Sequence, residues 1–202
     1  MCGTNPGYPQ SPTYSRRFII FLANTFDFEG EASNDASDPG GSTMFGLSSR
    51  SNPELADSIK ARTLSKQKAI DYIYRKYYKP ILGIDQMDGG VAFLVFDARF
   101  HGMVEVIKSM QVYINSVNDD STQLAVDGMW GPNTLRKVNQ LSRSQILTLI
   151  DLQNVESATM ARRAADRVLV YQTSHRLPRK DYFAGFKTRQ DRRSLVAGSL
   201  HA

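Results

Sequence analysis

The sequence predicts a mainly α fold, on three observations. Apolar residues recur at helical spacing through most of the chain. No alternating apolar and polar run of useful strand length occurs. One stretch dense in turn residues, 30–49, separates the first helical pattern from the rest and leaves room for a small hairpin within 31–48.

Residues 1 to about 14 are polar and rich in Pro and Gly, and read as an extension. From Ser15 a helix begins, with Phe18, Leu22, Thr25 and Phe26 on one face and Ile19 beside them, and it ends near 28–30. The following GEASNDASDPGGSTMFGLSS is no regular helix. Its Asp38-Pro39-Gly40-Gly41 segment requires a tight turn, with positive φ at Gly40 or Gly41. Ser65 is placed as the N-cap of a helix to about Tyr78 that turns Ile70, Ile73 and Tyr77 inward, and Pro80 stops it.

A helix after Asp88 contains VAFLVFDARF, apolar nearly all round as a core helix is. After Gly102, Val106, Met110 and Tyr113 or Ile114 share one side of another helix, and 115–123 reads as a polar loop. Pro132 suits the first turn of a short helix to about Leu141. Gln145 to about Tyr171 reads as one long helix with room for an interruption. A basic tail follows from Thr173, with aromatics at Tyr182, Phe183 and Phe186.

At 202 residues the chain holds one compact domain or two small ones, and 41% hydrophobic with 22% charged residues predicts that most of it folds. No apolar run approaches the roughly 20 residues that cross a bilayer. The start lacks the charged and apolar regions of a secretory signal, so synthesis in a cytoplasm is expected. Cys2 is the one cysteine, which excludes an intramolecular disulfide and a cysteine-based metal site. A net charge of +5 and a pI near 9.3 favour an anionic partner: nucleic acid, membrane surface or cell wall. Ordinary surface charge explains the same numbers.

Glu29 is the first candidate for chemistry. Hydrolysing a glycosidic bond takes an acid for the leaving oxygen and a second group, usually a carboxyl, across the sugar. The acid stays protonated near neutral pH where apolar surroundings raise its pKa. Glu29 follows Phe26 and Phe28 at the end of an apolar helix, and Asp35 and Asp38 lie on the next loop. The competing reading is solvated surface with Asx turns. A calcium loop is excluded, because Asp35-x-Ser37-x-Pro39-Gly40 lacks the acidic positions and the closing Glu.

Residues 29–47, EGEASNDASDPGGSTMFGL, resemble the signature of glycoside hydrolase family 108, E-G-G-Y-x-N-D-P-x-D-x-G-G-x-T-x-x-G-I. Glu29, Gly30, Asn34, Asp35, Asp38, Gly40, Gly41, Thr43 and Gly46 match without a gap. Glu31 and Ala32 depart, standing where the family has a glycine and an aromatic. LSKQKAIDYIYRKYY (64–78) and VAFLVFDARFHG (91–102) resemble the family's next two helices, with His101-Gly102 in place of an Asn-x-Gly-like turn. VDGMWGPNTL (126–135) matches the motif of the accompanying peptidoglycan-binding region, and FAGFKTRQDR (183–192) resembles a relaxed form of its closing motif.

The resemblance spans about 15–192. It implies a lysozyme-like fold with an extension (1–14), a catalytic lobe (15–100), a helical peptidoglycan-binding-like lobe (101–192) and a tail (193–202). It implies N-acetylmuramidase activity on peptidoglycan glycan strands, with Glu29 as the acid and no cofactor or metal. Asp38 or Asp35 is the second group. Asp38 follows Glu29 by the same nine-residue interval that separates acid and aspartate in T-even phage lysozyme, and Thr43 stands near the place of that enzyme's water-holding threonine. Asn34, Asp35, Thr43 and Trp130 are the expected substrate contacts.

Other residues carry paired readings. Trp130 either stacks on a sugar or packs its DGMWGP turn. Asp97 is either a functional carboxylate or the partner of an Arg or helix end. Tyr72, Tyr74, Tyr77 and Tyr78 either line a groove or fill the core. His101, His175 and His201 form no metal set by spacing. A phage endolysin, holin-released, or a virion-borne enzyme fits the missing signal, as does a secretion-associated bacterial homologue. The rivals are a wall-binding protein without catalysis, a tail or baseplate component using 1–14 and 187–202 as docking segments, and, last, a nucleic-acid binder.

Overall fold

A computed structural model describes residues 14–28, 41–118, 121–155, 157–175 and 183–201. The described chain is mainly α, in the lysozyme-like class expected, with one two-stranded hairpin. Helix α1 (Arg16–Phe28) lays Phe18, Phe21, Leu22 and Thr25 into the core. Ile19, expected beside that face, is instead largely exposed, because Phe21 takes the inward position. Tyr14 also belongs to the body of the fold. Its hydroxyl donates to Asp71 and its ring packs on Phe18 and Tyr74.

The hairpin pairs β1 (Thr43–Met44) with β2 (Leu47–Ser48), Thr43 opposite Ser48 and Met44 opposite Leu47. A short 3-10 turn (Pro53–Leu55) and α2 (Ala56–Lys60) follow. Ser65 caps α3 (Lys66–Ile73) by accepting from the Lys68 amide. The expected single helix to Tyr78 changes character at Tyr74, where a π turn (Tyr74–Tyr78) sets the Lys79 amide on the Tyr74 carbonyl. That turn sends Tyr78 fully into the core and leaves Tyr77 half-buried, so Tyr78 is the stronger core residue.

Helix α4 (Gly89–Phe100) is the centre of the fold. Asp88 caps it by accepting from the Gly90 and Val91 amides. Every residue from Gly90 to Ala98 is buried, as its sequence predicts. Phe18, Phe21, Tyr78, Phe93 and Phe96 form one edge-to-face cluster around it.

Helix α5 (Val104–Val117) buries Val106, Met110 and Ile114, and continues three residues into the stretch expected as loop. Pro132 starts α6 (Pro132–Val138), which stops three residues short of Leu141. The expected long helix is two, α7 (Arg143–Val155) and α8 (Ser157–Ser174). Residues 193–200, expected as tail, belong to α9 (Phe183–Leu200), which packs along α4. A docking role for 187–202 does not fit, since Arg193 and Ala197 are wholly buried. The aromatic cluster at Tyr182, Phe183 and Phe186 lies outside the described side chains.

Glycine explains how close α9 comes. A Cβ on Gly90 would stand 2.4 Å from the Ala197 carbonyl oxygen, and one on Gly89 would stand 2.2 Å from that of Leu200. The buried Asp97 meets Arg193 of α9 at 3.5 Å and His101 at 3.3 Å, so the Arg-partner reading holds. His201 meets Asp88 at 2.7 Å, which fastens the far end of α9 to the α4 cap.

Candidate active site

In sequence the candidate residues run from the end of α1 to the hairpin. Glu29 is the residue after Phe28, where α1 ends, and α1 is fixed by core burial and by Arg17. That guanidinium donates to the Ile84 and Met87 carbonyls at 2.5 and 2.9 Å. Glu29, Asn34, Asp35 and Asp38, with Glu31 and Ala32, lie outside the described residues. Thr43 lies within them, half-buried on β1.

Positive φ explains the glycines of the motif here. Gly41 has φ +71°, the left-handed region expected there, and a Cβ on it would stand 3.0 Å from Ser49 Oγ, while Gly40 lies outside the described residues. Phe45 (φ +53°) and Gly46 (φ +72°) make the two-residue loop that joins the strands, as a type I′ hairpin demands. A left-handed Phe is strained, and its ring packing against the core offsets that strain.

A polar network holds the hairpin from below. Asn52, wholly buried, donates from both its backbone and its side-chain amide to the Ser48 carbonyl, at 3.1 and 2.9 Å. Its Oδ1 accepts from Tyr77 at 2.7 Å and from Lys76 at 3.2 Å. The Lys76 ammonium also donates to Tyr72 at 2.6 Å, to the Ser51 carbonyl at 3.1 Å and to Glu54 at 3.4 Å. It lies over the Tyr72 and Tyr77 rings at 5.0 and 5.6 Å. Burial, with Glu54 alongside, pushes the Tyr72 phenol up, while the Tyr72 hydroxyl first and the Lys76 charge later hold Glu54 down.

Sequence reasoning named Tyr72 and Tyr77 as groove or core candidates, and here they anchor. It missed Asn52, Glu54 and Lys76. Only the four-residue step from Tyr72 to Lys76 hints at this cluster in the sequence.

Trp130 stands elsewhere. Its Nε1 donates to the Leu82 carbonyl at 3.1 Å, and its ring packs partly on the core. It walls a cavity with α4 and α5 residues, and no hairpin residue lines that cavity. Asp127 and Gly128 shape the turn before it. Asp127 accepts from the Met129 amide and from Gln111, which hold its carboxyl below the usual range, and Gly128 has φ +77°. A larger cavity of about 380 Å³ borders this turn, and its buried polar groups Gln111 and Lys137 are engaged within the protein. Gln111 bonds Asp127, Met129 and Gly128, and the buried Lys137 donates to the Thr122 carbonyl. Among the described residues no cluster of His, Cys, Asp or Glu suits a metal ion, and no helix is long and apolar enough to cross a membrane.

Residues 22–102 match the family model described as Glycosyl hydrolase 108. This segment is similar to glycosyl hydrolase family 108. The match begins inside α1, takes in the whole 29–47 motif and ends at Gly102 in the α4–α5 turn, so α4 closes the family 108 segment. Among solved structures the chain is similar to that titled "Structure of Brucella abortus SagA", at 21% identity and a TM-score of 0.61. The likeness covers 91% of this chain and 94% of that one, and it concerns the fold. A comparison with curated proteins finds no match. The match supports glycoside hydrolase chemistry for this segment.

Proposed function

We propose that the protein is an N-acetylmuramidase, cutting the β-1,4 bond between N-acetylmuramic acid and N-acetylglucosamine in peptidoglycan. The observation that carries the reading is the family 108 match over 22–102, which encloses Glu29 and the motif ending in the hairpin. Glu29 donates the proton to the glycosidic oxygen. Asp38, or Asp35, takes the other face of the sugar, positioning water or stabilising the oxocarbenium-like transition state. Asn34 and Thr43 contact substrate. The rigid support of the hairpin favours this role, because a misplaced contact weakens catalysis steeply. The basic net charge draws the protein to an anionic wall.

The test is reducing-end release from purified sacculi by wild type and Glu29→Gln. The substitution keeps shape and removes the acid, and the expected loss is about a thousandfold. Equal cutting by both would move the acid elsewhere. Binding without cutting by both would leave the fold as an attachment device, with Glu31 and Ala32 the first residues to restore.

A further inference from the structure

A cavity of about 200 Å³ opens between α4, α5 and the turn at 128–130. Its walls are apolar, with Ile81, Val95, Ala98 and Met103 buried and Trp130 partly so. Leu82, Val104 and Met129, which stand around it in sequence and fold, are unusually exposed for large apolar residues. Arg99 is the single charged side chain lining it. It is exposed, and no carboxylate among the described residues pairs with it.

These features narrow the occupant. The volume is below the roughly 300–1,000 Å³ of ordinary ligand sites, so a short segment fits and a run of sugar rings does not. The walls also lack what sugar hydroxyls need, since Trp130 Nε1 is already spent on the Leu82 carbonyl. A guanidinium at an apolar cavity matches a carboxylate attached to a small apolar group. The peptide stems that peptidoglycan carries on its muramic residues offer that combination, alanine methyls beside a free carboxylate.

The cavity is connected to the hairpin. Arg99 is near enough to Tyr77 to pull down a phenol that burial pushes up, and the Tyr77 ring meets Phe100 edge-on at 5.2 Å. Tyr77 in turn bonds Asn52, which holds Ser48 opposite Thr43.

We propose that this cavity is a stem-peptide subsite, in which Arg99 takes the terminal carboxylate and the Trp130-walled pocket takes the alanine side chain. The proposal rests on the peptidoglycan reading above, but it concerns binding and can fail by itself. Trp130 is the chain's only tryptophan, so its emission reports on the cavity directly. The probe is a synthetic alanine-terminated stem tetrapeptide with a free carboxylate, titrated into the full chain.

Saturable change in Trp130 emission is expected for wild type. Arg99→Met should raise Kd about tenfold or more, as should amidating the peptide's terminus, and Arg99→Lys should recover part of the loss. Absence of a saturable change, or equal Kd for wild type, Arg99→Met and the amidated peptide, overturns the subsite. Hydrolysis of glycan strands stripped of stems is measured in parallel. Its loss with peptide binding intact would remove the muramidase reading and keep the subsite, and the reverse pattern would do the opposite.

Discussion

Tyr77 donates its hydroxyl to Asn52 Oδ1 at 2.7 Å, and this bond joins the π turn to the hairpin. Asn52 passes the constraint on through its own amide to the Ser48 carbonyl, opposite Thr43. Removing that side chain leaves buried donors and acceptors unmatched. Asn52→Ala should therefore cost about 1–3 kcal/mol of stability. Its kcat on sacculi should fall by more than the unfolded fraction explains, because Thr43 loses its support. Asn52→Asp, which keeps the acceptor for Tyr77 and Lys76, should fall between. Thermal melting and reducing-end release check this, and an Asn52→Ala that melts and cuts like wild type would refute it.

The parts of the fold with short-range causes were legible in the sequence. Ser65, Pro132 and the apolar run 91–98 each act through neighbours a few residues away, so their helices were found near their observed bounds. The π turn was not, because it is decided by where Tyr77 and Tyr78 find partners, in Asn52 and the aromatic core. The tail was misread for a related reason. α9 has a sequence rich in Arg and other polar residues, and of its described side chains the wholly buried ones are Ala197 and an arginine, Arg193, that only Asp97 makes intelligible. At the site, family motif residues were legible by resemblance. Arg99, Asn52 and Lys76 were not, since their roles arise from contacts spanning more than 20 residues, or from a cavity no local pattern records.

Arg193 and Asp97 form a wholly buried pair between α9 and α4. Breaking such a pair from one side strands a charge. Arg193→Met should destabilise the fold by about 3–5 kcal/mol in urea unfolding. Adding Asp97→Asn should return much of that loss, because the remaining group is then neutral. A single variant as stable as wild type, or a double variant no better than the single, would show that the pair does not hold α9.

Two glycines separate close packing from helix propensity. Gly90→Ala brings a Cβ to 2.4 Å from the Ala197 carbonyl oxygen and 2.7 Å from Ile150 Cδ1, so helices must shift. A cost of about 1–3 kcal/mol is expected. Gly198, on α9, has nothing within 4 Å of a Cβ, and Gly198→Ala should stabilise by about 0.5–1 kcal/mol. Chemical denaturation of both variants decides it. Opposite signs are required, and two stabilising changes would mean α9 lies looser on α4.

Among the described residues, four tyrosines are held protonated above their ordinary range. Burial leads in each. Asp71 adds to it at Tyr14, which is pushed up to about 12, and Asp85 adds to it at Tyr78. A phenol raised in the folded state contributes stability fully below its unfolded value near 10, and loses it as pH rises through the folded value. Stability should therefore decline from about pH 10 upward. In a phenolate absorbance titration, part of the tyrosine signal should appear only above the ordinary range, together with loss of helical circular dichroism. In guanidinium all nine tyrosines of the chain should titrate together near 10. Asp71→Asn should lower the Tyr14 value and move the onset of ionisation down. A native titration that matches the denatured one would mean that Tyr14, Tyr72, Tyr77 and Tyr78 reach water freely, and that the network beneath the hairpin is not formed.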